Sequence, residues 1–234
     1  MTDPSSKVRK TLRSILDSFD PKVVGPMYCT EGGEAFWTKR RDAVRKGGEA
    51  WGRELLRLLP HGGRSLYFGA GVAELGGMLT ERIDLGRAVQ GCTLRAEEAE
   101  LLTQAFHDHD VDIVVEARDV RDAANDGPFT HISAVSVFTD PEFWPEVCGV
   151  TYGRLPPPLL DVGAFERERS EIRAICQAVG EPLTRPGLIT TTVEEAAWWL
   201  DWVDRNDLVA AADDATVDAA VVGDPIGWLS ISGA

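Results

Sequence analysis

Two closely spaced glycines, Gly69 and Gly71, follow a short apolar run at 65–68 and precede a helical stripe. They allow backbone angles and close approaches that a Cβ would block. Leu75, Met78, Leu79 and Ile83 then recur at the spacing of a helix packed on one side. A strand, a glycine turn and a helix N-terminus aim amide donors and a positive dipole end at a nucleotide-sized ligand. A dinucleotide fingerprint needs a small residue where Glu74 stands, which disfavours a nicotinamide cofactor. Phe68, Gly69, Gly71 and Ala73 instead make a G-x-G-x-small turn at a strand end. The same turn also serves a helix entry that binds nothing.

Other chemistry-bearing residues fall after later apolar runs. Thr93 and Leu94 end the run 87–94, and Asp119 and Val120 follow the run 111–115. Asp119 suits a ligand contact or a solvated loop equally. Asp140, Phe143 and Trp144 follow the run 129–138, although Asp-Pro is also an ordinary turn initiator. Tyr28 and Trp37 are aromatic residues of the N-terminal segment. His107 and His109 lack a third ligand at zinc spacing, so no metal is expected. Trp198, Trp199 and Trp202 fit a stacking platform or, more simply, a buried helix face. No Walker loop, G-x-S-x-G or H-E-x-x-H occurs.

The elements that must position these residues alternate. Helices are expected at 6–19 and 34–59, with a glycine- and proline-bearing loop between them. Strands follow at 65–68, 87–94, 111–115, 129–138 and 188–193, with helices at 96–106, 162–179 and 194–204. Two closing strands at 216–222 and 226–232 form a hairpin around Gly-Asp-Pro. This order predicts an α/β fold with a mostly parallel sheet covered on both faces. Residues 1–60 would form a helical cap and 61–234 the main domain.

The glycine turn and the order of elements resemble the class I S-adenosylmethionine-dependent methyltransferases. The resemblance implies a Rossmann-like fold, with a seven-stranded, mostly parallel sheet, a terminal antiparallel hairpin and N-terminal capping helices. It implies S-adenosylmethionine as cofactor, held by Phe68, Gly69, Gly71, Ala73, Thr93, Leu94, Asp119 and Val120. Two positions depart from the family: Tyr67 stands where an acid usually precedes the first glycine, and Thr93 where a carboxylate usually takes the ribose. The stretch from Asp140 to Phe143 resembles the (D/N)-P-P-(Y/F) box of amino-methylating members, with Glu142 for the second proline. There Asp140 would hold the acceptor and Phe143 stack on it, with Trp144, Tyr28 and Trp37 closing the acceptor pocket. The implied function is methyl transfer to a small-molecule nitrogen or oxygen. The departures leave open an inactive, methyltransferase-like binding protein.

The chain has 234 residues and a net charge of −14. Residues 1–60 hold 12 basic against 8 acidic residues, and the rest hold 12 against 30. That acidic body predicts no nucleic-acid partner, because phosphate neutralisation needs clustered cations. No apolar run approaches a membrane span, so no membrane association is expected. The polar N-terminus and four scattered cysteines point to a reduced, cytoplasmic setting. Oligomeric state is not legible.

Overall fold

The computed structural model describes residues 2–221 and 223–233. Three helices come first: α1 (Ser6–Ser18), α2 (Pro21–Tyr28) and α3 (Gly33–Leu58). In α1 the Ser5 hydroxyl accepts from Val8 N, and Val8, Leu12, Ile15 and Leu16 are buried. α2 occupies the expected loop. Its glycine serves contact and not a turn: a Cβ on Gly25 would lie 2.1 Å from the Gly33 carbonyl oxygen, so α2 and α3 touch backbone to backbone. Asp20 caps α2 by accepting from Lys22 N at 2.9 Å.

The strands are β1 (Arg64–Phe68), β2 (Ala88–Thr93), β3 (Val114–Ala117), β4 (Phe129–Ala134), β5 (Leu183–Thr192), β6 (Leu208–Ala212), β7 (Val217–Asp218) and β8 (Pro225–Gly233). They form one eight-stranded sheet in the order β3-β2-β1-β4-β5-β8-β6, with β7 also on β8. β1 to β5 are parallel, whereas β8 runs antiparallel to β5, β6 and β7. The expected antiparallel end is present, but its long partner strand is β6, which the sequence reading missed. The run 216–222 contributes only the two residues of β7 to the sheet, and Val222 lies outside the described residues. Leu208–Ala212 carries three alanines and gives almost no apolar alternation, so its strand character comes from pairing with β8.

Helices α4 (Leu75–Leu79, extended by a π turn at Thr80–Asp84), α5 (Ala96–Asp108), α6 (Val120–Ala124), α7 (Pro145–Thr151), α8 (Val162–Gly180) and α9 (Ala196–Arg205) flank the sheet. One core lies between it and α1, α3, α4 and α5, and includes Trp37, Trp51 and Tyr67. The other contains Phe68, Phe138, Trp199 and Trp202. Trp199 and Trp202 of α9 are therefore core, with Trp198 half-buried beside them: Trp199 lies 6.3 Å from Phe68 and 6.1 Å from Phe138, ring centre to ring centre. Among the described residues no helix is long and apolar enough to cross a membrane.

Beneath the sheet Glu81 is fully buried. It accepts from Tyr67 Oη at 2.5 Å, Arg87 Nε at 2.7 Å and Ser65 Oγ, and pairs with His131 Nδ1 at 2.7 Å. His131 and Arg87 hold its carboxyl down at about 2, against the pull of burial. Tyr67 is thus committed to this network and not to a ligand.

Candidate ligand-binding site

Parallel α/β sheets bind ligands beyond the carboxyl ends of their strands. Two cavities open there. The smaller, about 300 Å³, is lined by the ends of β1, β2 and β3 through Phe68, Gly69, Thr93, Leu94, Asp119 and Val120, and by Asp140, Phe143 and Trp144 after β4. The larger, about 450 Å³, takes Tyr28 from α2, Gly71, Ala73 and Glu74 from the glycine turn, and Glu98 from α5. Tyr152, Arg154 and Asp224 form its far wall. Gly69, Arg95, Ser136 and Asp140 line both cavities.

Local geometry explains the partition. Gly69 has φ +66°, and a Cβ there would lie 2.6 Å from Val137 Cγ2, so only glycine fits. Ser136 has φ 56°, in the left-handed region that is uncommon for a non-glycine residue. Its buried hydroxyl has no hydrogen-bond partner among the described residues. Backbone strain of this kind gathers where a loop must present a group to a ligand.

The larger cavity is lined by two buried carboxyls, Glu74 and Glu98. Glu74 Oε2 accepts from Gly71 N at 2.8 Å. Burial pushes the Glu74 carboxyl up to about 8, and raises Glu98 as well. Tyr28 Oη donates to Glu98 Oε1 and accepts from Val72 N at 3.0 Å. Burial and the Glu98 charge raise the Tyr28 phenol well above its ordinary value.

Most sequence-selected positions converge here, with rearrangements. Asp119 lines the smaller cavity, but its carboxylate caps α6 by accepting from Arg121 N at 2.8 Å. Arg121 also grips it with Nε at 3.0 Å and Nη2 at 2.6 Å, and holds its pKa down. Phe143 and Trp144 line the smaller cavity, so they do not face Tyr28 across an acceptor pocket. Trp37 lines neither cavity: it is 1% exposed and packs 6.1 Å from Phe19, because the apolar side of α3 turns into the helical layer. A role for Trp37 as a lid aromatic is therefore corrected. The sequence reading missed Glu74 as a structural acceptor, Arg95, Ser136 and the Tyr152–Asp224 pair. Ser136 and the Tyr152–Asp224 pair gave no local signal: nothing local announces a left-handed backbone angle, and the pair joins positions 72 apart in the chain.

No protein-family model matches the chain, and no curated protein matches it in sequence. Solved structures match in fold. A precorrin-6y C5,15-methyltransferase from Geobacter metallireducens GS-15 aligns with TM-score 0.51 at 8% identity, covering 81% of this chain and 89% of that one. A methyltransferase from Pyrococcus furiosus gives 0.50 at 11% identity, covering 77% and 80%. TrmN from Thermus thermophilus gives 0.50 at 17%, covering 76% and 47%. The chain has the Rossmann-like fold of the class I S-adenosylmethionine-dependent methyltransferases.

One expectation is overturned. The 16S rRNA methylase RmtB is similar to this chain at 16% identity and TM-score 0.49, covering 98% of this chain and 76% of that one. The expectation that acidity excludes a nucleic-acid partner is withdrawn: phosphate contacts depend on the local surface, and charge summed over a chain says little about the surface around one cavity.

Proposed function

We propose that this chain is an S-adenosylmethionine-dependent methyltransferase that acts on a small-molecule nitrogen or oxygen nucleophile. The observation that carries the reading is the pair of cavities meeting at Gly69, Arg95, Ser136 and Asp140, beyond the carboxyl ends of the central strands. The residues fit the cofactor. Leu94 and Val120 offer apolar walls for a planar base, and the unpartnered Ser136 hydroxyl sits at the junction. When bound, S-adenosylmethionine supplies an electrophilic methyl group. Phe68, Gly69, Gly71, Ala73, Thr93, Leu94, Asp119 and Val120 would hold it, and Asp140 would orient the acceptor from the neighbouring cavity. Catalysis by the protein would be chiefly alignment of nucleophile and methyl. An ion-paired Asp140 suits orientation better than proton removal.

A second reading, an inactive binding protein, draws on Tyr67 and Thr93. Tyr67 is bound into the Glu81 network, and a threonine cannot replace a bidentate carboxylate. Calorimetry with S-adenosylmethionine, followed by a methyl-transfer assay on a panel of amines and alcohols, tests both. Binding with transfer supports the methyltransferase; binding without transfer, or no binding at millimolar cofactor, favours the second reading.

A further inference from the structure

Three oxygens from three separate elements converge beside Gly71. A Cβ at that residue would lie 2.9 Å from Glu98 Oε1, 3.0 Å from Tyr28 Oη and 3.4 Å from Glu74 Oε2. Glycine at 71 therefore keeps open a cradle of oxygens from α5, α2 and the turn before α4. All three side chains line the larger cavity. Glu74 is only 5% exposed, and its Oε1 makes no hydrogen bond to another of the described residues.

The cradle has the wrong sign for an anion. The glycine-turn amides that could serve one are taken: Gly71 N donates to Glu74 and Val72 N to Tyr28. What remains is acceptor capacity in a partly desolvated corner, which suits an ammonium group with its three donors. Arg95, which lines the same cavity, is spent on Asp140 and Glu142 at 2.7 Å each.

We propose that Glu74, Glu98 and Tyr28 receive the ammonium of the amino-acid tail carried by the cofactor. This rests on the methyltransferase reading. The cavities meet at Gly69, and Gly71 lines the larger one two residues on, so a ligand with its adenosyl group in the smaller cavity extends its tail towards the cradle. The same assignment accounts for α2, which brings Tyr28 over the turn.

A proton accompanies the ammonium. Glu74 faces Glu98 on α5, Tyr28 on α2 and, further off, the buried Glu195. Burial among these groups keeps it protonated at pH 7. An arriving ammonium stabilises the charged carboxylate, so the proton leaves Glu74 for buffer as the cation binds.

The test compares S-adenosylhomocysteine with 5′-methylthioadenosine, which keeps the adenosyl thioether but lacks the amino-acid end. Calorimetry at pH 7 in buffers of different ionisation enthalpy should show proton release for the first probe and none for the second, a comparison that needs no variant. Glu98→Gln should weaken S-adenosylhomocysteine about tenfold or more, the size expected for a hydrogen bond to a charged group, and leave 5′-methylthioadenosine unchanged. Glu74→Gln should abolish the proton release. Equal losses for both probes, or wild-type protein that binds the two alike without proton release, would overturn the assignment while leaving the methyltransferase reading in place. Failure of wild-type protein to bind either probe would instead remove the methyltransferase reading and this assignment with it.

Discussion

Arg95 Nη2 lies 2.7 Å from Asp140 Oδ2, and this ion pair stands where the two cavities meet. The same guanidinium reaches Glu142 at 2.7 Å and lies 5.6 Å over the Phe143 ring. Asp140 Oδ1 accepts from Glu142 N at 2.9 Å. Both oxygens of the box carboxylate are engaged, so its charge is fixed in place between the cavities.

Asp140→Asn keeps an acceptor for Glu142 N but loses the pairing with Arg95. Methyl transfer should fall by about a hundredfold, the size expected when a reactant is held slightly out of line, with S-adenosylmethionine affinity changed far less. Single-turnover rates beside calorimetric affinities check this. Equal losses in both would place Asp140 with the cofactor and not with the acceptor.

Glu81→Gln should destabilise the fold by about 3–5 kcal/mol, because it leaves the fully buried Arg87 without its counter-charge. The pH dependence follows from the lowered carboxyl, at about 2 when folded. Its stabilisation is complete above the ordinary carboxylate value near 4.5 and is lost as pH falls towards 2. Urea unfolding between pH 2 and 7 should show this acid slope in the wild type. A variant with an unchanged slope would refute it.

Glu195 behaves in the opposite sense. Burial pushes its carboxyl up to about 7, although it accepts from Phe138 N and from Thr139 N at 3.0 Å. Its folded state holds a proton that the unfolded chain has released, so it contributes stability below about 4.5 that disappears as pH rises through 7. Glu195→Gln should flatten this part of the profile, by up to about 1.4 kcal/mol per pH unit. Denaturant midpoints at pH 5 and pH 8 would then lie closer together than in the wild type.

Trp37→Ala should cost about 3–5 kcal/mol of stability through the cavity it leaves. Ligand affinity of the fraction that remains folded should be unchanged, since Trp37 lines neither cavity. A large affinity loss at little stability cost would return Trp37 to the site.

The stretch around Gly69 and the strand ends at Thr93, Asp119 and Asp140 were legible because strand, turn and helix signals are local. Alternation of those signals is enough to specify a parallel sheet, and the sheet gathers its own strand ends on one side. Tyr28 was legible only as an aromatic ahead of the first strand.

What only the tertiary structure decided is which atoms face one another. The sequence placed Trp37 and Tyr28 in one lid, yet one faces the helical core and the other the glycine turn. A helix has two sides, and only packing chooses between them. Glu74 read as an obstacle to one cofactor, and Glu98 as a helix N-terminal charge. The fold draws both to Gly71, where burial raises their pKa values. Strand β6, with its alanine run, needed β8 beside it to be extended at all. Composition set the chain's acidity, but where the carboxylates collect is a long-range property, settled by the order in which the strands pair.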